Sequence, residues 1–488
     1  MQKVARIDAP PRLASAQEQI SRVPVHAVWE LTLACDLKCL HCGSRAGARR
    51  PHELNTAECY EVVDALAALG TREISLIGGE AYLRSDLACI IRRIRSHGIY
   101  CAIQTGGRNF TPRRLGEAVE AGLGGLGVSL DGLEPLHDEL RGVHGSFRSA
   151  VDTLQLAHDA GLRTSVNTQI GARTMSDLAP LLEVVAEVGA KQWQVQLSTP
   201  IGNAVDHDDL LLQPYRLAEV MPVLAELYHK GLARDVLLMA GNNIGYFGPY
   251  EHLWRGFGDE TEHWTGCSAG SLVVAIESDG TVKGCPSLPT RDYAGGNVRQ
   301  ISLEDIWRHS ERVDFARGSR HDMLWGFCRS CYYAEVCGGG CTWMSHALLG
   351  RPGNNPYCHH RVLQLRERGM RERIRKTREA AAEPFAVGEF ELVLETVDGH
   401  EIERNSTSAA HTLVQIVQAQ SASPLTPCRN CDAYVMQDEA ICPHCGADLA
   451  LAARTYKEDR RRSVEAWETV ERLLQSRGTT FASDAAGK

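Results

Sequence analysis

The stretch Cys35-Asp-Leu-Lys-Cys39-Leu-His-Cys42 places three thiols within eight residues. Thiolates are soft ligands that suit iron–sulfur clusters or zinc. A structural zinc site normally takes four protein ligands, and His41 would be the candidate for the fourth. Because His41 directly precedes Cys42, both side chains would have to turn to one small ion. The spacing therefore favours a 4Fe–4S cluster with one open iron over zinc, and either metal over a metal-free loop.

Two short apolar runs flank this loop along the chain. Residues 26–33, His-Ala-Val-Trp-Glu-Leu-Thr-Leu, lead into the loop, and Glu73-Ile-Ser-Leu-Ile-Gly-Gly-Glu80 follows it. A cysteine loop after a first strand, with Gly-Gly-Glu after a second, resembles the radical S-adenosylmethionine (SAM) enzymes. One departure is Ala81, which stands where a proline usually follows the glutamate. This difference affects the rigidity of the loop more than its chemistry.

The resemblance implies roles for the residues of both motifs. The three cysteines would hold the cluster, and its open iron would be chelated by the amino and carboxylate groups of SAM. The stretch Gly78-Gly79-Glu80 would meet the ammonium group of SAM through its backbone and carboxylate. His41 would pack beside the adenine.

Apolar runs alternate with helical stretches over residues 23–235. The six runs are residues 26–33, 73–77, 100–104, 125–130, 164–170 and 192–197. Helix-start signals lie between them, such as Asn55 with Glu58 and Thr111 before Pro112. This alternation predicts an α/β fold with a parallel sheet and right-handed crossovers. Six such units fit a partial (β/α)₆ TIM-like barrel, the fold that the resemblance implies, with its site at the C-terminal strand ends.

Two further residues follow the fourth run. The resemblance implies that Ser129, in Val128-Ser-Leu-Asp-Gly132, and Arg141, in His137-Asp-Glu-Leu-Arg-Gly142, touch SAM. A turn serine and a surface arginine are the alternative interpretations. Asp131 is interpreted as a turn or helix-start residue.

A second set of cysteines follows a change to glycine- and aromatic-rich composition near residue 236. Its seven members are Cys267, Cys285, Cys328, Cys331, Cys337, Cys341 and Cys358. Seven thiols exceed the needs of one tetrahedral zinc site. The set resembles the SPASM extension of peptide-modifying radical SAM enzymes, which implies two auxiliary iron–sulfur clusters.

The family pattern divides the seven cysteines between the two auxiliary clusters. One cluster, fully ligated, takes Cys328, Cys331, Cys337 and Cys358; the other takes Cys267, Cys285 and Cys341. The sequence has no cysteine between Cys101 and Cys267. The second cluster therefore has either an open iron or a non-cysteine ligand such as His263. Pro286 stands where relatives that mature sulfatases carry an aspartate, which argues against that activity.

The C-terminal part contains a third set of cysteines. Cys428-x-x-Cys431 and Cys442-x-x-Cys445 are typical of a zinc ribbon, and a rubredoxin-like single-iron site is the alternative. A segment this small cannot bury enough core to fold unaided, so its metal should supply its stability. Before it, residues 359 to about 382 predict a basic helix, and residues 389–403 predict a β-hairpin that turns at Asp398-Gly399.

The sequence predicts six segments. They are an N-terminal arm (1–22), the radical SAM barrel (23–235), the SPASM domain (236–382), a hairpin and linker (383–427), the zinc ribbon (428–450), and a C-terminal helix and tail (451–488).

Composition narrows the function classes. The 43% hydrophobic and 23% charged residues are ordinary for a globular protein, and the net charge of −9 gives no general attraction to nucleic acid. We find no secretory signal and no apolar run of the roughly 18 residues that span a bilayer. A cytoplasmic protein without membrane contact is therefore expected, and most of its 17 cysteines lie in metal-ligand clusters.

The resemblance implies a radical SAM oxidoreductase that cleaves SAM reductively, so that a 5′-deoxyadenosyl radical takes hydrogen from a substrate carbon. The expected substrate is a ribosomally made peptide, which would gain a crosslink or another oxidation at carbon. Expected partners are a flavodoxin- or ferredoxin-type reductant and a separate leader-recognition protein, unless the zinc ribbon grips the leader. The alternatives are a small-molecule oxidoreductase and a non-catalytic iron–sulfur scaffold. A scaffold would not need the SAM pocket that Gly-Gly-Glu, Ser129 and Arg141 imply.

Overall fold

The computed structural model describes residues 16–259, 261–316, 320–402 and 425–476. The chain divides into two compact units, one of residues 1–246 with 264–418 and the other of residues 247–263 with 419–488. The predicted tail after residue 476 and most of the predicted N-terminal arm lie outside the described residues. The predicted limits of the individual segments stay predictions.

A ten-stranded sheet organises the first unit. Its strands are β1 (His26–Thr32), β2 (Glu73–Gly78), β3 (Tyr100–Thr105), β4 (Gly125–Ser129), β5 (Arg163–Ile170), β6 (Gln192–Leu197), β7 (Leu237–Ala240), β8 (Val273–Ile276), β9 (Thr281–Lys283) and β10 (Gly296–Asn297). The spatial order is β10-β9-β8-β1-β2-β3-β4-β5-β6-β7. All pairs among strands β1 to β8 are parallel, and β9 pairs antiparallel with β8 and β10. This arrangement confirms the predicted α/β class and is typical of a partial TIM-like barrel.

Helices connect the parallel strands. The described α-helices are α1 (Ala16–Ser21), α2 (Thr56–Ala68), α3 (Leu87–Ser96), α4 (Pro112–Glu120), α5 (Glu134–Arg141), α6 (Ser146–Asp159), α7 (Leu178–Glu187), α8 (Asn203–Asp206), α9 (Leu217–Ala233), α10 (Glu251–Arg255), α11 (Thr290–Tyr293), α12 (Leu303–His309), α13 (Ala334–Cys337), α14 (Thr342–Leu349), α15 (His359–Glu367) and α16 (Leu449–Ser476). Two predicted helix starts are confirmed. Asn55 and Glu58 form a reciprocal capping box, and Thr111 accepts from the backbone N–H of Arg114.

The sheet extends beyond the six predicted strands on both sides of the barrel. Strand β7 adds a seventh parallel strand next to β6, and β8 pairs with the free side of β1. Both strands have four residues, too few to show a period-two pattern. The expected end of the barrel at residue 235 precedes both of them.

The predicted basic helix over residues 359–382 is wrong in its second half. Helix α15 ends at Glu367, and a strand β11 (Met370–Arg378) pairs antiparallel with β12 (Glu389–Thr396). The arginines at 371, 373 and 375 recur at every second residue, which is a strand period. Arg371 and Arg373 pair with Glu395 on β12 at 2.7 and 2.8 Å, so cross-strand ion pairs select the strand.

The structure contains the turn of the hairpin predicted at Asp398-Gly399. The backbone N–H of Gly399 donates to the carbonyl of Thr396, and Glu401 bridges antiparallel to Glu395. The rest of this hairpin, and the predicted linker up to residue 424, lie outside the described residues.

The second unit contains the C-terminal cysteines. A strand pair, β13 (Leu425–Pro427) and β14 (Tyr434–Met436), packs with Cys428, Val435 and Cys442 as a small core. Tyr434 donates to the carbonyl of Glu262, and its ring lies edge-on to His263 at 5.5 Å. Helix α16 begins at Leu449, two residues before the predicted limit of the C-terminal helix and tail at residue 451. None of the described helices combines the length and apolar character needed to cross a bilayer.

Candidate functional site

The end of helix α5 holds one side of the cysteine loop. The backbone N–H groups of Lys38 and Leu40 donate to the last carbonyls of α5, at Arg141 (3.0 Å) and Leu140 (2.8 Å). Gly142 follows with a φ of 65°, and a Cβ there would lie 2.5 Å from the carbonyl oxygen of Lys38. A glycine is therefore required where the loop meets the helix.

Helix α8 holds the other side of the loop. The side-chain amide of Asn203 donates to the carbonyl of Cys39 at 2.9 Å, and its backbone N–H donates to the carbonyl of Cys42 at 3.0 Å. Arg45 donates to Asn203 at 2.8 Å and forms an ion pair with Asp206. Sequence reasoning missed Asn203, which lies 161 positions after Cys42 and carries no local signal.

The three thiols of the loop accept hydrogen bonds from nearby donors. Cys35 accepts from the N–H of Leu37 at 3.4 Å, Cys42 from the N–H of Ala46 at 3.4 Å, and Cys39 from the guanidinium of Arg141 at 3.7 Å.

Burial opposes ionisation of two of these thiols. It raises the pKa of Cys35 to about 12, with a further contribution from Glu80. It raises the pKa of Cys39 to about 11, although Arg141 acts in the opposite direction. A bound metal cation would reverse this preference and stabilise the thiolates, so the donor set fits a metal centre.

Gly78 and Gly79 lie against the end of β1. A Cβ on Gly78 would lie 2.2 Å from the carbonyl oxygen of Thr32, and one on Gly79 would lie 2.1 Å from that of Ala34. The N–H groups of Gly79 and Glu80 donate to these same two carbonyls at 2.8 and 2.7 Å. The glycines therefore allow close backbone approach, and the donors of the motif are used within the protein.

The carboxylate of Glu80 is buried beside Cys35. It accepts hydrogen bonds from the hydroxyl of Thr105 and from the backbone N–H of Gly106, the latter at 2.7 Å. Burial raises the pKa of Glu80 to about 7, although these two donors lower it. One oxygen of Glu80, one of Asp36 and the sulfur of Cys35 lie within 4.8 Å of one another. This arrangement can receive a cationic group next to the loop.

Asp131 joins two of the predicted SAM-contact residues. Its carboxylate lies 2.5 Å from the guanidinium of Arg141 and 3.2 Å from Nε2 of His41. Burial alone would raise the pKa of Asp131, but Arg141 and His41 hold it well below its usual range. Arg141 is buried, so its interpretation as a surface arginine is wrong. The interpretation of Asp131 as a turn residue missed this ion pair, because its partner is ten positions away.

Ser129 ends strand β4 in register with Asn167 on β5. It is half-buried and lies on the sheet face opposite to the buried side chains of Leu126 and Val128. That face carries the polar side chains of the neighbouring strands.

The seven later cysteines fall into two groups in the structure. Burial is the main cause that raises the pKa of Cys285 and of Cys341. The nearby thiol of Cys267 is the second cause, so these three cysteines lie close together. The second group contains Cys328, Cys331, Cys337 and Cys358. Burial is the main cause that raises the pKa of Cys331 and of Cys337, and the nearby thiols of Cys358 and Cys328 raise it further. The structure thus brings together the same sets as the family pattern.

A chain of buried charges connects the first cysteine loop with Cys285. Arg50, which follows the loop, lies 2.6 Å from Glu30 and 3.5 Å from Glu277. Glu277 lies 2.8 Å from Lys283, whose ammonium donates to the carbonyl of Leu288, three residues after Cys285. These contacts fix the positions of both cysteine loops. Sequence reasoning missed all four charged residues, since each looks like an ordinary surface charge.

The four C-terminal cysteines form a much tighter group. All four sulfur atoms lie within 4.8 Å of one another, and two pairs, Cys428–Cys445 and Cys431–Cys442, are 3.8 Å apart. A tetrahedral ion with metal–sulfur bonds of ~2.3 Å has sulfur–sulfur edges of ~3.8 Å. The group therefore fits a single four-coordinate metal ion. In the described part of the chain, the thiols of the other cysteine sets lie farther apart than this. Wider spacing suits a cluster of several irons, because each thiolate then binds a different iron.

Sequence comparisons identify two family models in the first unit. Residues 29–185 match the model of the Radical SAM superfamily, and residues 267–332 match the SPASM model, described as an iron–sulfur cluster-binding domain.

Curated relatives fall into two groups. The AdoMet-dependent heme synthase of Methanosarcina barkeri is 28% identical over 353 residues, which cover 70% of this chain and 98% of the relative. The mycofactocin maturase of Mycolicibacterium smegmatis is 29% identical over 356 residues, which cover 71% of this chain and 86% of the relative.

Among solved structures, SuiB of Streptococcus suis bound to its precursor peptide SuiA has a similar fold. The TM-score is 0.53 at 18% identity, with 67% of this chain and 75% of that chain covered.

Proposed function

The chain is a radical SAM enzyme with a SPASM domain, and from this premise we propose that it modifies a ribosomally made peptide at carbon. It uses a 4Fe–4S cluster with SAM, auxiliary iron–sulfur clusters and a four-cysteine metal site. When bound, the first cluster and SAM supply the one-electron chemistry that removes hydrogen from an unreactive carbon.

We assign the ligands by the groups that the structure brings together. The loop cysteines Cys35, Cys39 and Cys42 would hold the SAM-binding cluster. One auxiliary 4Fe–4S cluster would be held by Cys267, Cys285 and Cys341, and the other by Cys328, Cys331, Cys337 and Cys358. The tight group of Cys428, Cys431, Cys442 and Cys445 would hold zinc.

The protein residues around the loop would bind SAM and keep it in place. Glu80 and the carbonyls of Gly78 and Gly79 would accept from the N–H groups of the iron-bound amino group of SAM. Ser129 and the cluster of His41, Asp131 and Arg141 would contact the rest of the molecule. Because the carboxylate of Asp131 neutralises the guanidinium of Arg141, this pair adds little net charge beside SAM.

The observation that carries the peptide assignment is the open sheet. Among the described strands, β7 has β6 as its one neighbour, and it does not pair with β10 at the other end. A sheet that is open along β7 can admit a chain that extends beyond the reacting carbon. The mycofactocin maturase supports this assignment as a relative named for maturation.

A second candidate function is a reaction on a tetrapyrrole. The observation that favours it is the match to heme synthases, which extends over 98% of one such relative.

The test combines the anaerobic enzyme, SAM, a strong reductant and a short peptide encoded beside its gene. We expect 5′-deoxyadenosine and a peptide whose mass falls by two hydrogens for a new crosslink. The Cys35→Ala, Cys39→Ala, Cys42→Ala triple variant is the control and should form neither. An unaltered peptide, with a tetrapyrrole consumed instead, would favour the second candidate.

A further inference from the structure

The inner face of β5 and β6 carries a regular array of carboxamides. Asn167 is in register with Gln194, and Gln169 with Gln196. These four residues, which we name the carboxamide array, point away from the fully buried side chains of the alternate positions on the same strands, such as Val166 and Val195. All four are half-buried.

The array is built into the sheet. Asn167 donates to Oε1 of Gln104 at 2.5 Å across β4. A Cβ on Gly127 of β4 would lie 1.9 Å from that same oxygen, so a glycine is needed to leave room for Gln104. The hydrogen bond and the close packing therefore restrict the conformation of Asn167 in the array.

The array reaches the cysteine loop at one end. Gln169 lines a small cavity together with His41, the residue before Cys42. The backbone N–H of Gln169 also donates to Asp131 at 2.9 Å, and Asp131 binds His41 and Arg141. A molecule bound along the array would thus lie next to the SAM site.

Three of the four side-chain amides have no partner in the part of the chain that the structure describes. Within the described residues, the side chains of Gln169, Gln194 and Gln196 make no hydrogen bond. Each carboxamide has two N–H donors and one carbonyl acceptor, and half-buried polar groups need partners from water or a ligand. The open side of the sheet at β7 lies next to β6, so a ligand can reach them.

The spacing of the array matches an extended peptide. Alternate residues on one parallel strand are ~6.6 Å apart, and adjacent strands are ~4.8 Å apart. In an extended chain, the backbone N–H and C=O groups that face one side also recur every second residue. Carboxamides at alternate positions of β6 can therefore meet the backbone amides of every second residue of a chain that lies along it.

The charge of this face argues against a polycarboxylate ligand. The array and its in-register neighbours Ser129 and Met239 are uncharged. Arg173, which lines the cavity with Gln169, is paired with Glu139 at 2.6 Å, and Arg141 is paired with Asp131. Carboxylates are held best by unpaired cations, and neither of these arginines is free.

We propose that the carboxamide array binds the backbone amides of an extended segment of the substrate peptide and presents it to the SAM site. The array selects the class of substrate, an extended peptide of any sequence, and the inference rests on the proposed function. It also separates the two candidate functions, because neutral amides match a peptide backbone and not the acidic side chains of a tetrapyrrole.

The test uses the full-length holoenzyme and the peptide that it modifies. Gln194→Met and Gln196→Met keep the side-chain length and remove the amide. We expect each to raise KM for the peptide ~3- to 10-fold, since a neutral hydrogen bond contributes ~0.5–1.5 kcal/mol. SAM cleavage without peptide should stay unchanged. Gln155→Met, on the exposed face of α6, is the matched control and should leave KM unaltered.

A second measurement isolates the backbone contact. Synthetic peptides with one backbone amide replaced by an ester lose one N–H donor. At the position facing Gln196, the ester should weaken binding to the wild type several-fold and should not weaken binding to Gln196→Met further. Gln196→Glu, which keeps the shape of the side chain and removes its donors, should also raise KM.

The outcomes separate the inference from the function on which it rests. If the wild type modifies the peptide, but the Met variants keep its KM and the ester penalty is equal in both enzymes, the array has no such role. If the wild type leaves peptides unchanged, and Gln196→Arg tightens the binding of hemin as a tetrapyrrole dicarboxylate, both the inference and the proposed function fail.

Discussion

The three-cysteine loop and the four-cysteine group hold their thiols in different ways. The loop is fixed by distant parts of the chain: the end of α5, Asn203 of α8 and the charge chain through Arg50. The four-cysteine group has a core of Cys428, Val435 and Cys442, with Cys431 and Leu449 packed against it. Three of these five residues are the proposed metal ligands themselves.

This difference predicts opposite consequences of metal loss. The loop belongs to a unit with a ten-stranded sheet and its own core, so its geometry should survive without a cluster. The four-cysteine group should lose its structure with its metal, because binding free energy there is folding free energy. Function depends on metal at the first site, and structure depends on metal at the second.

The largest expected effect comes from the loop. Replacement of Cys35, Cys39 and Cys42 with Ala should remove about four irons per chain and abolish SAM cleavage. The thermal unfolding of the first unit should change little, because the bracing contacts of the loop are backbone and Asn203 interactions. Iron analysis, 5′-deoxyadenosine formation and circular dichroism measure the three quantities. SAM cleavage that survives the triple change would refute the assignment.

Loss of the C-terminal metal should disrupt local structure and leave SAM cleavage intact. In the full-length protein, Cys431→Ala with Cys445→Ala should remove one zinc and expose residues 425–448 to proteolysis. SAM cleavage without peptide should persist. Metal analysis and limited proteolysis measure the effect, and Cys89→Ala, in a half-buried cysteine outside the three sets, is the control. A red wild-type protein with one non-cluster iron and no zinc would favour a rubredoxin-like site.

Glu80 should affect SAM binding and leave the fold intact. A charge-assisted hydrogen bond contributes ~1.5–3 kcal/mol, so Glu80→Gln should weaken SAM binding ~10- to 100-fold. Because the pKa of Glu80 is raised to about 7, its carboxylate becomes neutral as the pH falls through 7. Wild-type SAM affinity should therefore fall about tenfold from pH 8 to pH 6. The SAM affinity of Glu80→Gln should not change over this pH range in a calorimetric titration. Equal SAM affinity for the wild type and the variant would show that Gly-Gly-Glu is only a turn.

The smallest effect tests the bracing of the loop. Asn203→Asp keeps the acceptor for Arg45 and removes the donor to the carbonyl of Cys39. We expect iron to be lost to a chelator ~2- to 10-fold faster, which corresponds to one hydrogen bond. Asn297→Asp, at the β10 edge, is the matched control. An unchanged rate would show that the backbone contacts with α5 suffice to hold the loop.

Local signals explain what could be predicted from the sequence. The six strands with clear apolar runs, the capping box at Asn55 and the first cysteine loop each lie within a few consecutive residues. The two later cysteine sets are longer, but they contain short spacings such as Cys328-x-x-Cys331 and Cys428-x-x-Cys431. Strand β11 was mistaken for a helix because its arginines find their glutamates on β12, across a separation that the sequence does not mark.

The contacts missed at the site are also long-range. Asp131, Asn203, Lys283 and the carboxamide array matter because the fold brings them to the cysteine loops. Apart from Asp131, which lies in the quoted stretch Val128-Ser-Leu-Asp-Gly132, these residues belong to no motif. The thiol chemistry was therefore predictable, whereas the surroundings that fix the thiols required the structure.

The proposed function requires that the 5′-deoxyadenosyl radical takes hydrogen from a carbon of a peptide. The most direct measurement follows deuterium from the peptide into 5′-deoxyadenosine. A peptide deuterated at the attacked carbon, incubated with the anaerobic enzyme, SAM and reductant, should yield deuterated 5′-deoxyadenosine together with modified peptide. If the peptide keeps its deuterium while a small metabolite transfers its own, the enzyme is a small-molecule oxidoreductase and does not modify a peptide.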